Sequence, residues 1–583
     1  MQKGNLLSAN DETIHHDTSR FLADIGNVYD DMGEYTSALE YSIKSFEMNK
    51  IIYGADANHV DIARSCTNIG NAYYAQAEYA AALEYHTKSL EVMQTICGVD
   101  THHPDVASIY TNIGNVYDGQ GDPISALEYH LKSLEACQAV YGVDADHPDI
   151  VRSLSNVGNA YDAQGESSSA LKYHTKALEV SQAIYGEDAS HPDIARAYTN
   201  IGIVYDDLGE YSLALEFHTK SLEMEKAIYG DETNHPDISR SYGSIGNAYD
   251  GLGEYASSLE YHLKSLEIMQ AVYGGDNHPG IAGNYSNIGT AFYRLGKHAS
   301  ALEYHSKSLD IQKAIYGVDT NHPDIAGTCT NIGIAYAAAG DYKSALKYFT
   351  KSSEMMKAIY GADTNHPTIA NSYSNIGSAH YELGKYKLSL KFHTKSLEMN
   401  KAIYGVDKHH PHVARNYANV GCALYGLRNF TSALEHHSKS LEMMNSVYGA
   451  DTNHPDKAKS LAYFGKVYHG QGKFQTSLEY HTKSFEMMKS INGADTNHPD
   501  IAECYTDIGH AYEGLGDDKL ALEYHTKSLE MMKAIYGADA SHPDIAKAYT
   551  NIGKAHRSLG DHKLAKDCDR KASNITQSPS AMS

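Results

Sequence analysis

Along this chain the apolar positions follow a helical period and then repeat as a block. In His103-Pro-Asp-Val-Ala-Ser-Ile-Tyr-Thr-Asn-Ile-Gly-Asn-Val-Tyr117, Tyr110, Ile113, Val116 and Tyr117 fall on one side of a 3.6-residue helix, with Gly114 among them. Pro104 and the acid Asp105 suit a first helical turn, and Gly121 ends the segment. A second apolar stripe follows in Ala126, Leu127, His130, Leu134 and Tyr141, closed by Gly142 as a left-handed cap. The loop Val143 to Pro148 leads to the next copy. Each block is therefore predicted to be a hairpin of helix A and helix B, and no segment reads as a strand.

The marker glycine recurs as Gly26, Gly70, Gly114, Gly158, Gly202, Gly246, Gly289, Gly333, Gly377, Gly421, Gly465, Gly509 and Gly553, with steps of 44 residues and a single step of 43. Such a period predicts a solenoid of thirteen repeats over residues 15–573, each repeat touching only its neighbours. Residues 1–14 read as an irregular lead-in and residues 574–583 as a disordered tail. The last helix, His562 to Lys571, is more polar than its counterparts, as a terminal cap requires.

With the marker glycine at position 8, the repeats carry an aromatic at 4, Gly at 8, Tyr at 11, Gly at 15, Tyr at 17, Ala at 20 and Leu at 28. Tyr73 to Leu90 and Tyr205 to Leu222 show this pattern. It resembles the tetratricopeptide repeat, whose unit is 34 residues. The additional ten residues lengthen helix B and add Tyr-Gly-x-Asp-x-x-His-Pro-Asp-Ile-Ala, as at Tyr316 to Ala326, which is similar to the long repeat of kinesin light chain and nephrocystin-type proteins. The resemblance implies an all-α, right-handed superhelical α-solenoid of about thirteen hairpins, acting as a protein-binding adaptor in the cytoplasm, in places associated with the cytoskeleton. It does not extend to the motor: no heptad coil of the kind that binds kinesin heavy chain precedes His15. Ile and Gly also stand at positions 7 and 8 where that family has Leu and Ala.

Positions 2, 6, 9 and 13 of helix A form a stripe beside the buried one, and in tetratricopeptide arrays this stripe lines the concave groove. Position 6 is Asn68, Asn112, Asn156, Asn200, Asn287, Asn331, Asn375 and Asn419; position 9 adds Asn71, Asn115, Asn159 and Asn247. A carboxamide offers two donors and an acceptor, so such a ladder can pair with any peptide main chain. Arg64, Arg152, Arg196 and Arg240 at position 2 are planar forks for carboxylates. Together they predict a groove for extended segments of other proteins with acidic residues between apolar anchors. The opposing reading is a passive or self-assembling scaffold, in which each Asn bonds the next repeat and each Arg pairs with a position 12 acid such as Asp118, Asp162, Asp206 or Asp250. A chaperone-tail carboxylate clamp is not expected, because position 5 lacks lysine.

Charge and chemistry narrow the classes further. A net charge of −25 argues against a nucleic-acid binder. Seven cysteines at unrelated positions, with no C-x-x-C pair, indicate a reducing setting. No secretory h-region and no long apolar run predict membrane insertion, and Asn574-Ile-Thr is read as an unused glycosylation match. The chain has 34 histidines. One set occupies the repeat junctions (His15 to His542) and another occupies position 24 of helix B (His86, His130, His174, His218, His262, His305, His393, His437, His481, His525). Repeats stack about 10 Å apart, so equivalent histidines cannot share one zinc, whose ligands lie about 2 Å away. No metal, no cofactor and no enzyme activity are expected. Gly274 to Gly280 lies in a loop without a preceding strand and is not a phosphate loop.

Overall fold

A computed structural model describes residues 9–54, 57–98, 103–231, 233–274, 277–405, 409–493, 496–537 and 542–577. These residues form 26 helices and no strand, in most repeats alternating helix A of 16 residues, such as α5 (Pro104–Gly119) and α7 (Pro148–Ala163), with helix B of 19, such as α6 (Pro123–Tyr141) and α8 (Ser167–Tyr185). The fold is an all-helical solenoid of paired hairpins. Its contacts divide the chain into two compact units. The first holds Met1–Asn200 with Asn277–Pro279 and Ile311–Pro323; the second holds Ile201–Asp276, Gly280–Asp310 and Asp324–Ser583.

The junction motif explains why the hairpins repeat so regularly. His147 is extended (φ −138°, ψ 137°) and its Nδ1 accepts the Asp149 amide at 3.2 Å, so the imidazole does the capping usually done by Ser or Asp. Pro148 occupies the first turn, where no amide partner is needed. Tyr141, ending helix B, stacks on His147 with ring centroids 3.5 Å apart and donates its hydroxyl to Asp149 Oδ2 at 2.9 Å. The same stack is made by Tyr53 and His59, Tyr185 and His191, Tyr229 and His235, and Tyr448 and His454. Tyr, His, Pro and Asp are thus one device that turns helix B into the next helix A.

Between the helices, Ile150, Val151, Leu154 and Val157 of α7 pack with Leu134 and Cys137 of α6 into one buried cluster. The hydrophobic stripe differs in detail from the expected one. Tyr110 and Tyr117 are half-buried, stacking toward Tyr129 of helix B, while Val106, Ala107, Ile109, Ile113 and Val116 are fully buried.

Four expectations are corrected. Helix α1 spans Ala9–Asp31, so residues 9–14 are helical; no His-Pro pair fixes its start, and the sequence Asp11-Glu12 suits a helix N-terminus. Residues 1–8 lie outside the described residues. Helix α26 (His562–Gln577) continues through 574–577 because Ile575 packs on the cluster containing Ala548, Ile552 and Cys568; residues 578–583 lie outside the described residues. Gly142 is not left-handed helical but extended at positive φ (108°, ψ 149°), a region that only glycine enters readily. Repeats also touch beyond their neighbours. Within the second unit His498 Nε2 lies 3.3 Å from the Gly251 carbonyl oxygen, 247 residues away, and a Cβ on Gly253 would stand 3.0 Å from Pro499 Cδ. Strict neighbour-only stacking fails because the glycine turns present bare backbone to the His-Pro junctions.

Candidate functional site

Some of the positions singled out on helix A line two hollows, and the others do not. In the first unit a hollow of about 460 Å³ is lined by Arg20, Asn27, Arg64, Asn68 and Ser108, all at positions 2, 6 or 9, with Asp61 and Asp105 beside them. In the second unit Asn419, Cys422 and Lys466 line a hollow of about 330 Å³. Asn112, Asn156, Asn200, Asn287, Asn331 and Asn375 are half-buried on the same face of their helices, outside these two hollows. Asn71, Asn159 and Asn247 are exposed and Asn115 is half-buried.

The asparagines are not equivalent. Asn331 donates to Ser286 Oγ at 3.0 Å and Asn419 to Ser374 Oγ at 2.9 Å, each bridging to position 5 of the preceding repeat. Asn112, Asn156 and Asn375 follow the threonines Thr67, Thr111 and Thr330, whose hydroxyls instead meet Ser89, Ser133 and Ser352 of helix B at 2.8–2.9 Å. Ser286 and Ser374 thus tie the next asparagine into the scaffold, whereas Ser155, also at position 5, donates to the Val151 carbonyl at 3.0 Å instead.

The arginines pair with acids other than those at position 12. Arg152 Nη2 lies 2.9 Å from Asp149, Arg196 Nη1 3.2 Å from Asp193 and Arg240 Nη2 2.9 Å from Asp237, each acid one turn back at the helix start. Arg64 lies 3.8 Å from Asp61 and 3.5 Å from Asp105. All four arginine side chains stay 49–64% exposed, so the pairing orients them without burying them. The position 12 acids have other partners: Asp118 meets His130 Nε2 and Asp206 meets His218 Nε2, both at 3.1 Å, and Asp250 meets Arg294 Nε at 3.2 Å.

The position 24 histidines explain the marker glycine. His86, His174, His262, His305, His393 and His437 are buried, and burial pushes their imidazoles down to about 4. A Cβ on Gly158 would stand 2.5 Å from His174 Cε1, and one on Gly70 2.6 Å from His86 Cε1. The ring of helix B occupies the space that an alanine methyl would take, so glycine and histidine are a packing pair.

One charged centre in the second unit was not foreseen from sequence. Lys466 Nζ lies 3.0 Å from Glu503 Oε1 and 3.4 Å from Asp507 Oδ2. Lys466 holds Glu503 below the usual carboxylate range, whereas burial pushes Asp507 up to about 6 despite the same lysine. The shorter distance agrees: the lysine belongs mainly to Glu503. Asp507, an aspartate at position 6 where other repeats have asparagine, was the available signal.

Family profiles described as tetratricopeptide repeat match residues 15–95, 105–183, 170–227, 237–314, 285–358, 324–402, 368–446 and 412–490, and two further profiles of that description match 501–544 and 546–578. No curated protein matches the chain closely enough to count as a relative. Among solved structures the chain is similar to BtubC (BKLC) from P. vanneervenii, at 21% identity over 40% of this chain and 91% of that one, with a TM-score of 0.33. It is also similar to a Rap protein complexed with Competence and Sporulation Factor, at 14% identity over 66% of this chain and 98% of that one, with a TM-score of 0.46. Among the described residues no helix is long and apolar enough to cross a membrane.

Proposed function

We propose that this chain, which belongs to the tetratricopeptide repeat family, is a non-enzymatic adaptor that holds an extended segment of another protein against positions 2, 6 and 9 of its A helices. The observation that carries this reading is the hollow of about 460 Å³ in the first unit, where Arg20, Asn27, Arg64 and Asn68 of successive repeats share a wall with Ala23, Ala63, Met93 and Ile109. Carboxamides there can pair with peptide amides whatever the side chains. Because Arg64 already shares Asp61 and Asp105, recognition rests first on the main chain, and acidic residues between apolar anchors add to it second.

The long junction motif and seven cysteines with no C-x-x-C pair support a cytoplasmic adaptor of the kinesin light chain-like kind, without implying kinesin heavy chain as a partner. The test is a peptide array probed with the full chain and with an Asn27→Leu/Asn68→Leu variant. The adaptor reading expects the captured set to shrink while helicity is kept; an unchanged set defeats it. A second, structural reading is favoured in the second unit, where Asn331 and Asn419 are bonded to the preceding repeat. There Asn331→Leu should cost stability and leave binding alone.

A further inference from the structure

Position 24 histidine and position 12 acid meet in several repeats, as in His130 with Asp118 and His218 with Asp206. Such a pair offers a metal two ligands at most. The twelfth repeat departs twice from this scheme: position 12 is Glu513, one methylene longer, and position 9, asparagine in five repeats, is His510. One turn of α23 (Pro499–Leu515) separates His510 from Glu513, and α24 (Asp518–Tyr536) brings His525 against both.

A donor atom from each of the three lies within 4.8 Å of the others. His525 Nε2 is 3.2 Å from Glu513 Oε1, and the two imidazoles meet edge to face with centroids 5.1 Å apart. Ligands held about 2.0–2.1 Å from a tetrahedral zinc are themselves roughly 3.3 Å apart, so one pair already has the spacing and the third needs only a small rotation. Asn551 of the next repeat is buried and its Nδ2 has no hydrogen-bond partner among the described residues.

We propose that His510, Glu513 and His525 form a zinc site with three protein ligands. The fourth position faces the hollow of about 720 Å³ that His510 lines, where water or a carboxylate of a bound segment completes the ion's shell. Histidines of different repeats remain too far apart to share an ion; the site arises because two histidines belong to one repeat. Lys547 and Lys554 act on the cluster from nearby, so the expected affinity is on the order of micromolar.

The experiment strips the full chain with a chelator and titrates it with zinc against a chromophoric competitor, alongside His510→Asn and Glu513→Gln. One equivalent is expected in the parent, at least tenfold weaker in each variant, with visible bands of tetrahedral cobalt lost in parallel. His510→Asn restores the residue found at this position elsewhere, so circular dichroism should be unchanged; if it fails to fold, Glu513→Gln carries the comparison. Equal stoichiometry and affinity in parent and variants would place the zinc on the ordinary His-acid pairs and overturn the site. So would an absence of saturable binding below about 100 μM.

Discussion

Replacing Gly158 by alanine should destabilise its repeat, although helix propensity alone favours the change by about 1 kcal/mol. The added methyl would lie 2.5 Å from His174 Cε1, 2.7 Å from Nε2 and 2.8 Å from Nδ1, nearly 1 Å inside ordinary contact. His174 is only 1% exposed and has no free volume to swing into, so overpacking should cost about 1–3 kcal/mol. The net expectation is a loss of up to about 2 kcal/mol. Gly553 is the internal control. Position 24 of its repeat is Asp569, and a Cβ there meets nothing nearer than 3.0 Å, at the end of that flexible side chain. Gly553→Ala should therefore keep most of the propensity gain. Combining Gly158→Ala with His174→Ala should restore part of the loss, giving a coupling energy of about 1–3 kcal/mol. Because stability in a repeat array is local, the readout is native-state hydrogen exchange of amides in α7 and α8 together with the urea midpoint. Equal responses of Gly158→Ala and Gly553→Ala, or zero coupling with His174→Ala, would refute the packing pair.

The buried position 24 histidines should make the fold acid-labile. Their folded values near 4 lie below the unfolded value of 6.5, so the unfolded chain binds more protons between these limits, and stability is complete above about pH 6.5 and lost as pH falls toward 4. Urea midpoints at pH 7.5 and 5 should differ by more than in a His174→Phe/His262→Phe variant. Ala77 and Arg428 hold φ of 59° and 61° where other repeats have glycine; Ala77→Gly and Arg428→Gly should each gain about 1 kcal/mol in urea unfolding. Asp507→Asn, which restores the usual position 6 residue, should stabilise by about 1–3 kcal/mol at pH 7.5, the gain vanishing below about pH 4, where Asp507 is protonated in both states. Asp149→Asn/Asp193→Asn should free Arg152 and Arg196 and raise capture of acidic peptides on an array, an effect that weakens with salt.

The hairpins were legible because their signals are local. Proline, aspartate and glycine mark helix ends at fixed offsets, and the 44-residue period brings most of those marks back in each repeat. The capping role of the junction imidazole was not legible, since it depends on His147 Nδ1 facing the Asp149 amide, with Tyr141 stacked on the ring. The buried serines of helix B were missed for the same reason. Ser133 Oγ donates to the Ala107 carbonyl at 2.9 Å and Ser484 Oγ to that of Ala458 at 2.8 Å, across helices 26 residues apart in sequence.

The candidate groove divides along the same line. Helical spacing alone put Asn68 and Arg64 on one face, and the first-unit hollow has both in its wall. Spacing could not say which polar groups were already satisfied, because that depends on the preceding repeat: Ser286 captures Asn331, whereas Thr67 turns to Ser89 and leaves Asn112 without that bridge. A position shared by many repeats therefore has no single role. Asn331 is held by the serine before it, and Asn112, behind a threonine, does not make that bridge. Exchanging Thr67 for serine should let Asn112 make it, a gain read as a higher urea midpoint and slower exchange of the amides of α3 (Val60–Ala75) and α5.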